Sequence, residues 1–241
     1  MSWLLYALIT VTAILTLWTV LVALFFQKEI RAAMERDPAA RNSLEVILTY
    51  AGLHALVFHR VAHALFKWHI PILPRMISQL SRHFSGIEIH PGATIGEGLF
   101  IDHGMGVVIG ETSSIGKNVT LYQGVTLGGT GKEKGKRHPG IGDDVVIGAG
   151  AKVLGNISVG ESSVIGANAV VIKDVPANST VVGVPGRIAM REGKKISGIS
   201  LEHTALPDPL AQAIDKLQHE INLIEEHMKH WRKSQGGQNK P

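Results

Sequence analysis

The sequence predicts a mainly β fold, a parallel β-solenoid of triangular coils that is entered through helices and followed by one more helix. Three observations carry this prediction. Between Ile89 and Val171 an aliphatic residue returns every six positions. Glycine usually follows that residue, as at Gly96, Gly110, Gly116, Gly128, Gly142, Gly148, Gly160 and Gly166. Outside this window the period vanishes, leaving an uncharged apolar run at the front and a heptad pattern near the end.

The apolar run, Trp3 to Phe26, holds 24 residues without a charge. As a helix it reaches about 36 Å, enough for a hydrocarbon core of about 30 Å. Trp3 and Tyr6 suit an interfacial belt, and Lys28 and Arg31 follow directly, which places the remainder of the chain in the cytoplasm by the positive-inside rule. A cleaved signal peptide calls for a basic start, a shorter apolar core and a small-residue cleavage site, none of which is present. Residues 1–27 are therefore assigned to a single transmembrane anchor, with a buried soluble helix as the alternative. Residues 28–86 read as a helical segment, with Asp37-Pro38 as a start signal and Pro71 and Pro74 as a break. His54, His59 and His63 fall in this segment, and His59 and His63 share a helix face. A metal pair is conceivable, but no acidic or third ligand stands at metal spacing, so packing or capping on an amphipathic helix is the reading taken.

Residues 87–192 form the solenoid. The series runs Ile89, Ile95, Ile101, slips by two, continues as Ile109, Ile115, Leu121, Leu127, and resumes after an excursion as Ile141, Ile147, Val153, Val159, Ile165, Val171. Neither a helix nor an alternating strand gives a period of six. A repeat this short stacks coils that each bury one side chain per face, with three hexads to a coil and glycine easing the corners. Residues 193–241 comprise a linker, a heptad helix and a disordered tail. Leu210, Ile214, Leu217, Ile221, Ile224, Met228 and Trp231 alternate steps of 4 and 3, an a/d seam. The seam is short, so it docks on, or zips together, an oligomer already held elsewhere.

Composition narrows the function. The chain has a net charge of +4 and an estimated pI of 9.3, yet its basic residues form no nucleic-acid recognition element. A membrane surface or an anionic cofactor is the more plausible partner of that charge. The absence of cysteine excludes disulfides, thiolate nucleophiles and cysteine-ligated metals. Function is expected where the repeat breaks, because loops leaving a rigid scaffold tend to carry it. One break follows the segment IDHGMG, Ile101 to Gly106; the other is the excursion GGTGKEKGKRHPG, Gly128 to Gly140. His103 and His138 each lie beside one of these breaks. Either alone could be an ordinary surface histidine; together they mark a candidate site.

The hexad pattern resembles the left-handed parallel β-helix of the hexapeptide-repeat acyltransferases. Within that group, the runs GIEIHPGATIGEGLFIDHGMGVVIGET and LYQGVTLGGTGKEKGKRHPGIGDDVVIGAGAKVLGN are similar to the serine O-acetyltransferase family, as are DPAA at Asp37 to Ala40 and the GLHALVFHRVAHAL behind it. The resemblance covers roughly Asp37 to Ile188 and implies a set of roles. His103 would be the general base toward the serine hydroxyl, since an imidazole titrates near neutrality. Glu88 would orient that ring, although the family pattern often has Asp there. Asp37 and Asp102 would hold the ammonium or hydroxyl end of L-serine, and Arg137 its carboxylate. His138 would be the second active-site histidine, and Gly129 would allow close approach of the acyl group. For acetyl-CoA, Ala149, Ala151 and Ala167 would line the pantetheine groove, and Lys173 and Arg187 would face the nucleotide phosphates. The activated oxygen would attack the thioester directly, with backbone N–H groups steadying the oxyanion.

The resemblance thus implies acetyl-CoA as co-substrate, no tightly bound cofactor and no metal. It implies a homotrimer, because the sites lie between subunits. Two departures stand out. A membrane segment stands where longer members carry a helical domain, and the chain ends in Asn239-Lys240-Pro241 rather than the isoleucine used to dock into cysteine synthase, so that partner is not expected. Rival readings are an acetyltransferase for a sugar or glycan hydroxyl, a γ-type carbonic anhydrase and a non-catalytic membrane scaffold. Asp37 and Arg137 argue against the first, the lack of a His-x4-His pair on the solenoid against the second, and the intact set of His103, His138, Arg137 and Asp102 against the third.

Overall fold

The structure, a computed structural model, describes residues 2–131, 134–191, 217–224 and 228. Residues up to Leu206 form one compact unit and those from Pro207 another. The helical segment and the solenoid therefore belong to a single body, and the divisions at 27 and 86 separate elements rather than domains.

The six-residue period sets the architecture. All thirteen hexad residues are buried, none more than 5% exposed. Each sits in a strand of two or three residues, and three parallel sheets result. The first face stacks the strands ending near Ile89, Ile109, Leu127, Val153 and Val171. The second stacks those near Ile95, Ile115, Ile141 and Val159, and the third those near Ile101, Leu121, Ile147, Ile165 and Val181. Because the excursion leaves the prism and returns, Leu127 still pairs with Val153 and the register is kept. An antiparallel strand, Arg187–Arg191, closes the last coil against Ser179–Val182.

The open end of the first coil would expose unpaired strand groups. Three helices cover it, α2 (Gln27–Arg36), α4 (Ala51–Lys67) and α5 (Leu73–Ser85), while α1 (Ser2–Phe25) and α3 (Ser43–Thr49) pack against these helices. Buried Arg36 donates from Nη1 to the Gly98 and Val119 carbonyls and to Thr120 Oγ1, all within 3.3 Å. Glu29 accepts from the Gly98 N–H, and Arg60 donates to the Ile95 and Gly96 carbonyls at 2.7 and 3.0 Å. At Gly52 a Cβ would lie 2.4 Å from the Ile101 carbonyl, so only glycine lets α4 start this close to the coil.

Helical residues outnumber strand residues among those described, so the expectation of a mainly β chain is corrected to a mixed one. The solenoid needs only two or three strand residues per face, while each capping helix contributes whole turns. Asp37-Pro38 also proves to be a stop rather than a start. Asp37 is the C-cap of α2 and its Oδ1 accepts the Ala39 N–H at 2.8 Å, whereas α3 begins later, at the N-cap Asn42, whose Oδ1 accepts from Glu45 N. The break at Pro71 and Pro74 is present: α4 ends at Lys67, and α5 opens with Pro74 in its first turn and ends at Gly86 in the left-handed region.

α1 is long and apolar enough to cross a membrane. It is exposed from Trp3 to Leu17, and Trp18 is the first of its side chains to be half-buried, with Val22 buried. In the second unit residues 217–224 are helical, and Leu217, Ile221, Ile224 and Met228 of the heptad seam are exposed. Leu210, Ile214 and Trp231 lie outside the described residues.

Candidate active site

The site residues fall on two edges of the prism. The first edge joins the third face of one coil to the first face of the next; the second joins the first face to the second.

The two-residue slip widens the first edge at Asp102 to Val107. His103 sits there with φ 56°, exposed, in a turn closed by the Val107 N–H to the Gly104 carbonyl at 3.0 Å. Asp102 precedes it. The cap brings Asp37 to the same place, where Tyr50 donates to Asp37 Oδ2 at 2.5 Å. Burial, that hydrogen bond and the Asp37 charge, with Asp102 also nearby, raise the pKa of Tyr50. Tyr122 on the next coil is raised too, by burial first and then by Asp102 and Asp37. Two carboxylates and two phenols thus surround the His103 corner. Glu88 lies directly under this corner, its N–H bonded to the Val107 carbonyl at 2.9 Å. Its carboxylate is paired with Arg82 at 3.3 Å, and no hydrogen bond joins it to His103.

Above Tyr122 the same edge becomes smooth. Ala149 is half-buried and Ala167 exposed, stacked on successive coils and linked through the Asn168 N–H to the Ala149 carbonyl at 2.8 Å. Ala151 is fully buried; its N–H is taken by Gly148 and its carbonyl by Thr126, so it packs the core behind the edge rather than lining it. Arg187 is exposed at the end of this run.

The second edge carries the returning arm of the excursion. Thr112 Oγ1 accepts the N–H groups of Arg137 and His138 at 3.0 and 3.1 Å, and Lys136 Nζ donates to the Thr112 carbonyl at 2.7 Å. His138 Nδ1 in turn accepts from the Thr112 N–H at 3.2 Å and faces Thr112 Oγ1 at 2.9 Å. With Nδ1 an acceptor, the neutral ring keeps its proton on Nε2 and offers it as a donor. Burial, and then the Arg137 charge, lower the His138 pKa and favour this neutral form. Gly110 makes room for the ring, for a Cβ there would come within 2.1 Å of Nε2. Arg137 donates to Glu111 Oε2 at 2.5 Å, and that bond holds the Glu111 pKa down. Gly129 stands at the foot of the loop, where a Cβ would meet Arg137 Cγ at 3.1 Å. Lys173 is exposed on this edge two coils on.

Within one chain, then, Asp37, Asp102, His103 and Glu88 share the first edge, and Gly129, Arg137 and His138 share the second. Tyr50, Tyr122, Glu111 and Thr112 belong to these clusters and were not signalled by the repeat. Thr112 and Glu111 sit at the corner beneath the excursion, and that position is the signal that could have found them.

The triangular solenoid of six-residue repeats is the architecture that the comparisons with known proteins assign to a hexapeptide-repeat transferase. Residues 138–173 match the family described as "Bacterial transferase hexapeptide (six repeats)". Serine acetyltransferase of Bacillus subtilis is 61% identical over 195 residues, 81% of this chain and 89% of the relative. Among solved structures, serine acetyltransferase of Neisseria gonorrhoeae in complex with serine is 41% identical with a TM-score of 0.67, covering 71% of this chain and 70% of the other. Serine acetyltransferase of Brucella abortus in complex with coenzyme A is 45% identical with a TM-score of 0.69, covering 72% and 69%. The chain belongs to the serine acetyltransferase family.

Proposed function

We infer that the chain transfers the acetyl group of acetyl-CoA to the hydroxyl of L-serine, giving O-acetylserine and CoA for cysteine biosynthesis. The observation that carries this reading is the pairing of charges: carboxylates beside one imidazole and a guanidinium beside the other. An amino acid needs both, one for its ammonium and one for its carboxylate, whereas a neutral sugar needs neither.

In this mechanism His103 removes the hydroxyl proton as the serine oxygen attacks the thioester carbon. Collapse of the tetrahedral intermediate breaks the carbon–sulfur bond, and the proton leaves with the CoA sulfur. Asp37 and Asp102 hold the ammonium end and Arg137 the carboxylate. His138, fixed by Thr112, donates from Nε2 to the serine. Glu88 places negative charge beneath the His103 corner. Acetyl-CoA binds along the smooth first edge past Ala149 and Ala167, with Ala151 packed behind it and Gly129 leaving space near the acyl group. Lys173 and Arg187 are the cations for its phosphates.

The base and the carboxylate-binding arginine lie on different edges of one prism, and a closed three-fold ring of prisms brings the first edge of one subunit against the second edge of its neighbour. A homotrimer is proposed on this ground. α1, apolar and exposed from Trp3 to Leu17, is proposed as a membrane anchor that leaves the solenoid in the cytoplasm.

Thiol release from acetyl-CoA tests the reaction, with L-serine, serinamide, a sugar and no acceptor compared side by side. Serine should accelerate release far above the other three. Equal release with the sugar would contradict the reading.

A further inference from the structure

We propose that the outer face of α5, together with the adjoining end of α3, rests on the surface of an anionic phospholipid bilayer; this deepens, and rests on, the reading of α1 as a membrane anchor. α5 has two unlike sides. Pro74, Ser78, Ser81 and Ser85 are buried toward the solenoid, where Ser78 Oγ donates to the Ile89 carbonyl at 2.6 Å. On a separate exposed side Leu73, Met76, Leu80 and Phe84 form an apolar stripe at helical spacing, with Phe84 73% exposed. A contiguous apolar stripe facing water marks an interaction surface.

The stripe is continuous with the anchor. Phe84, Leu48 of α3, and Leu15 and Trp18 of α1 line one cavity of about 410 Å³. The free part of α1 runs only from Trp3 to Leu17, because Trp18 is the first side chain half-covered by the cap. That part reaches about 22 Å, against a hydrocarbon core of about 30 Å, and tilting the helix only shortens its reach. To complete the span, the stretch from Trp18 to Val22 must sit at the membrane boundary, and the cap surface packed beside it must sit there too.

Charge selects the lipid. From Val46 to Ile87 the sequence holds no aspartate or glutamate, yet it carries Arg60, Lys67, Arg75 and Arg82. Lys67 and Arg75 are exposed and make no ion pair among the described residues. Glu45 and Glu88 flank this stretch, and Glu88 pairs with Arg82, so the rim's unpaired cations are Lys67 and Arg75; an apolar face rimmed by them suits an anionic headgroup layer. A second copy of the same face would meet it with like charge, which disfavours self-association there.

The chain lacks cysteine, so single-cysteine variants can be labelled cleanly. The full chain carrying Leu80→Cys, Phe84→Cys, Leu8→Cys or the solenoid control Glu161→Cys is labelled with a fluorophore. Each is reconstituted in vesicles of phosphatidylcholine and phosphatidylglycerol and checked for acetyl transfer. Quenching is read with a nitroxide held shallow in the lipid and with aqueous iodide. The labels at 80 and 84 should be quenched several-fold more by the lipid nitroxide than the label at 161, and be correspondingly shielded from iodide. Omitting phosphatidylglycerol should reduce lipid quenching at 80 and leave it unchanged at 8. If the label at 80 is as open to iodide as that at 161, the face lies in water and the proposal fails. If it is shielded from both quenchers, protein covers it and the proposal also fails. Lipid contact at 8 in either case would leave the anchor standing; its absence at 8 would remove the anchor and this inference together.

Discussion

The two edges of the prism carry one imidazole each, and they are built differently. On the second edge His138 is buried and Thr112 holds its Nδ1, while Glu111 holds the neighbouring Arg137. On the first edge His103 is exposed on a left-handed turn, and no hydrogen bond among the described residues ends on its ring. One edge is organised within a single chain. The other leaves its imidazole open toward whatever lies opposite, and in the proposed three-fold ring that would be the neighbour's organised edge. The difference suggests a division of labour in which the second edge grips and orients serine and the first edge performs the proton transfer.

The largest test of this division is His103→Ala. Turnover should fall by roughly two to four orders of magnitude, the range expected on losing a general base. Thermal stability should hold, because the exposed ring contributes nothing to the core. A variant with near-native turnover would move the base elsewhere.

Gly110→Ala probes the organised edge without touching a functional group. The new Cβ would displace the His138 ring, and misplacement on the order of 1 Å can cost about a hundredfold in rate. Steady-state kinetics should show that loss in kcat/KM for serine, and Gly116→Ala would not reproduce it through His138. Native kinetics in Gly110→Ala would mean that the position of His138 does not matter to the reaction.

Arg137→Ala should raise the KM for serine much more than that for acetyl-CoA, because the lost partner is serine's carboxylate. Serinamide should lose little further. The same change also moves a pH limit. The Arg137 charge helps to lower the His138 pKa, so its removal raises that pKa and protonates His138 at a higher pH. The acid limb of kcat/KM should therefore shift upward in the variant, as a pH–rate profile would reveal. An unmoved limb would separate His138 from that titration.

A separate effect, on stability rather than rate, lies away from both edges, in the cap. His59 is buried between α4 and the first coil, and both ring nitrogens lack a hydrogen-bond partner; the Ala93 backbone is near but outside normal hydrogen-bond geometry. Burial, aided by His63 and Arg60, lowers its pKa to about 3. The unfolded chain takes up that proton near pH 6.5, so it binds more protons than the folded chain below that pH. Stability should fall as the pH drops from about 6.5 toward 3, by at most about 1.4 kcal/mol per pH unit from this residue. Urea midpoints of His59→Leu should lose that part of the acid sensitivity. Identical pH slopes in both proteins would show that His59 titrates alike folded and unfolded.

The contrast between edges also explains what could be read from the sequence. The solenoid was legible because its core contacts repeat, and Ile89 through Val171 mark every face. His103 and His138 stood out as candidates because they interrupt that repeat. The partners that organise the site were not. Glu111 meets Arg137 across 26 residues, one coil plus the excursion, a separation that appears only once the loop is seen to return to the same corner. Tyr50 meets Asp37 because α2 ends where a helix start was expected, which turns the chain so that α4 begins beside it. Local propensity carries no information on either meeting. Ala151 shows the opposite error, a small residue beside the groove in sequence whose side chain faces the core.

Complementation between two inactive variants tests the central claim directly. His103→Ala disables only the first edge of a subunit, and Arg137→Ala only the second. If each site is built from the first edge of one subunit and the second edge of its neighbour, trimers assembled from an equal mixture contain some sites with both edges intact. Co-folded mixtures should then recover serine acetylation up to about a quarter of the native level, the share expected for random assembly in a closed ring. Mixtures no more active than the average of the two variants alone would place base and arginine in one chain's site and contradict the account.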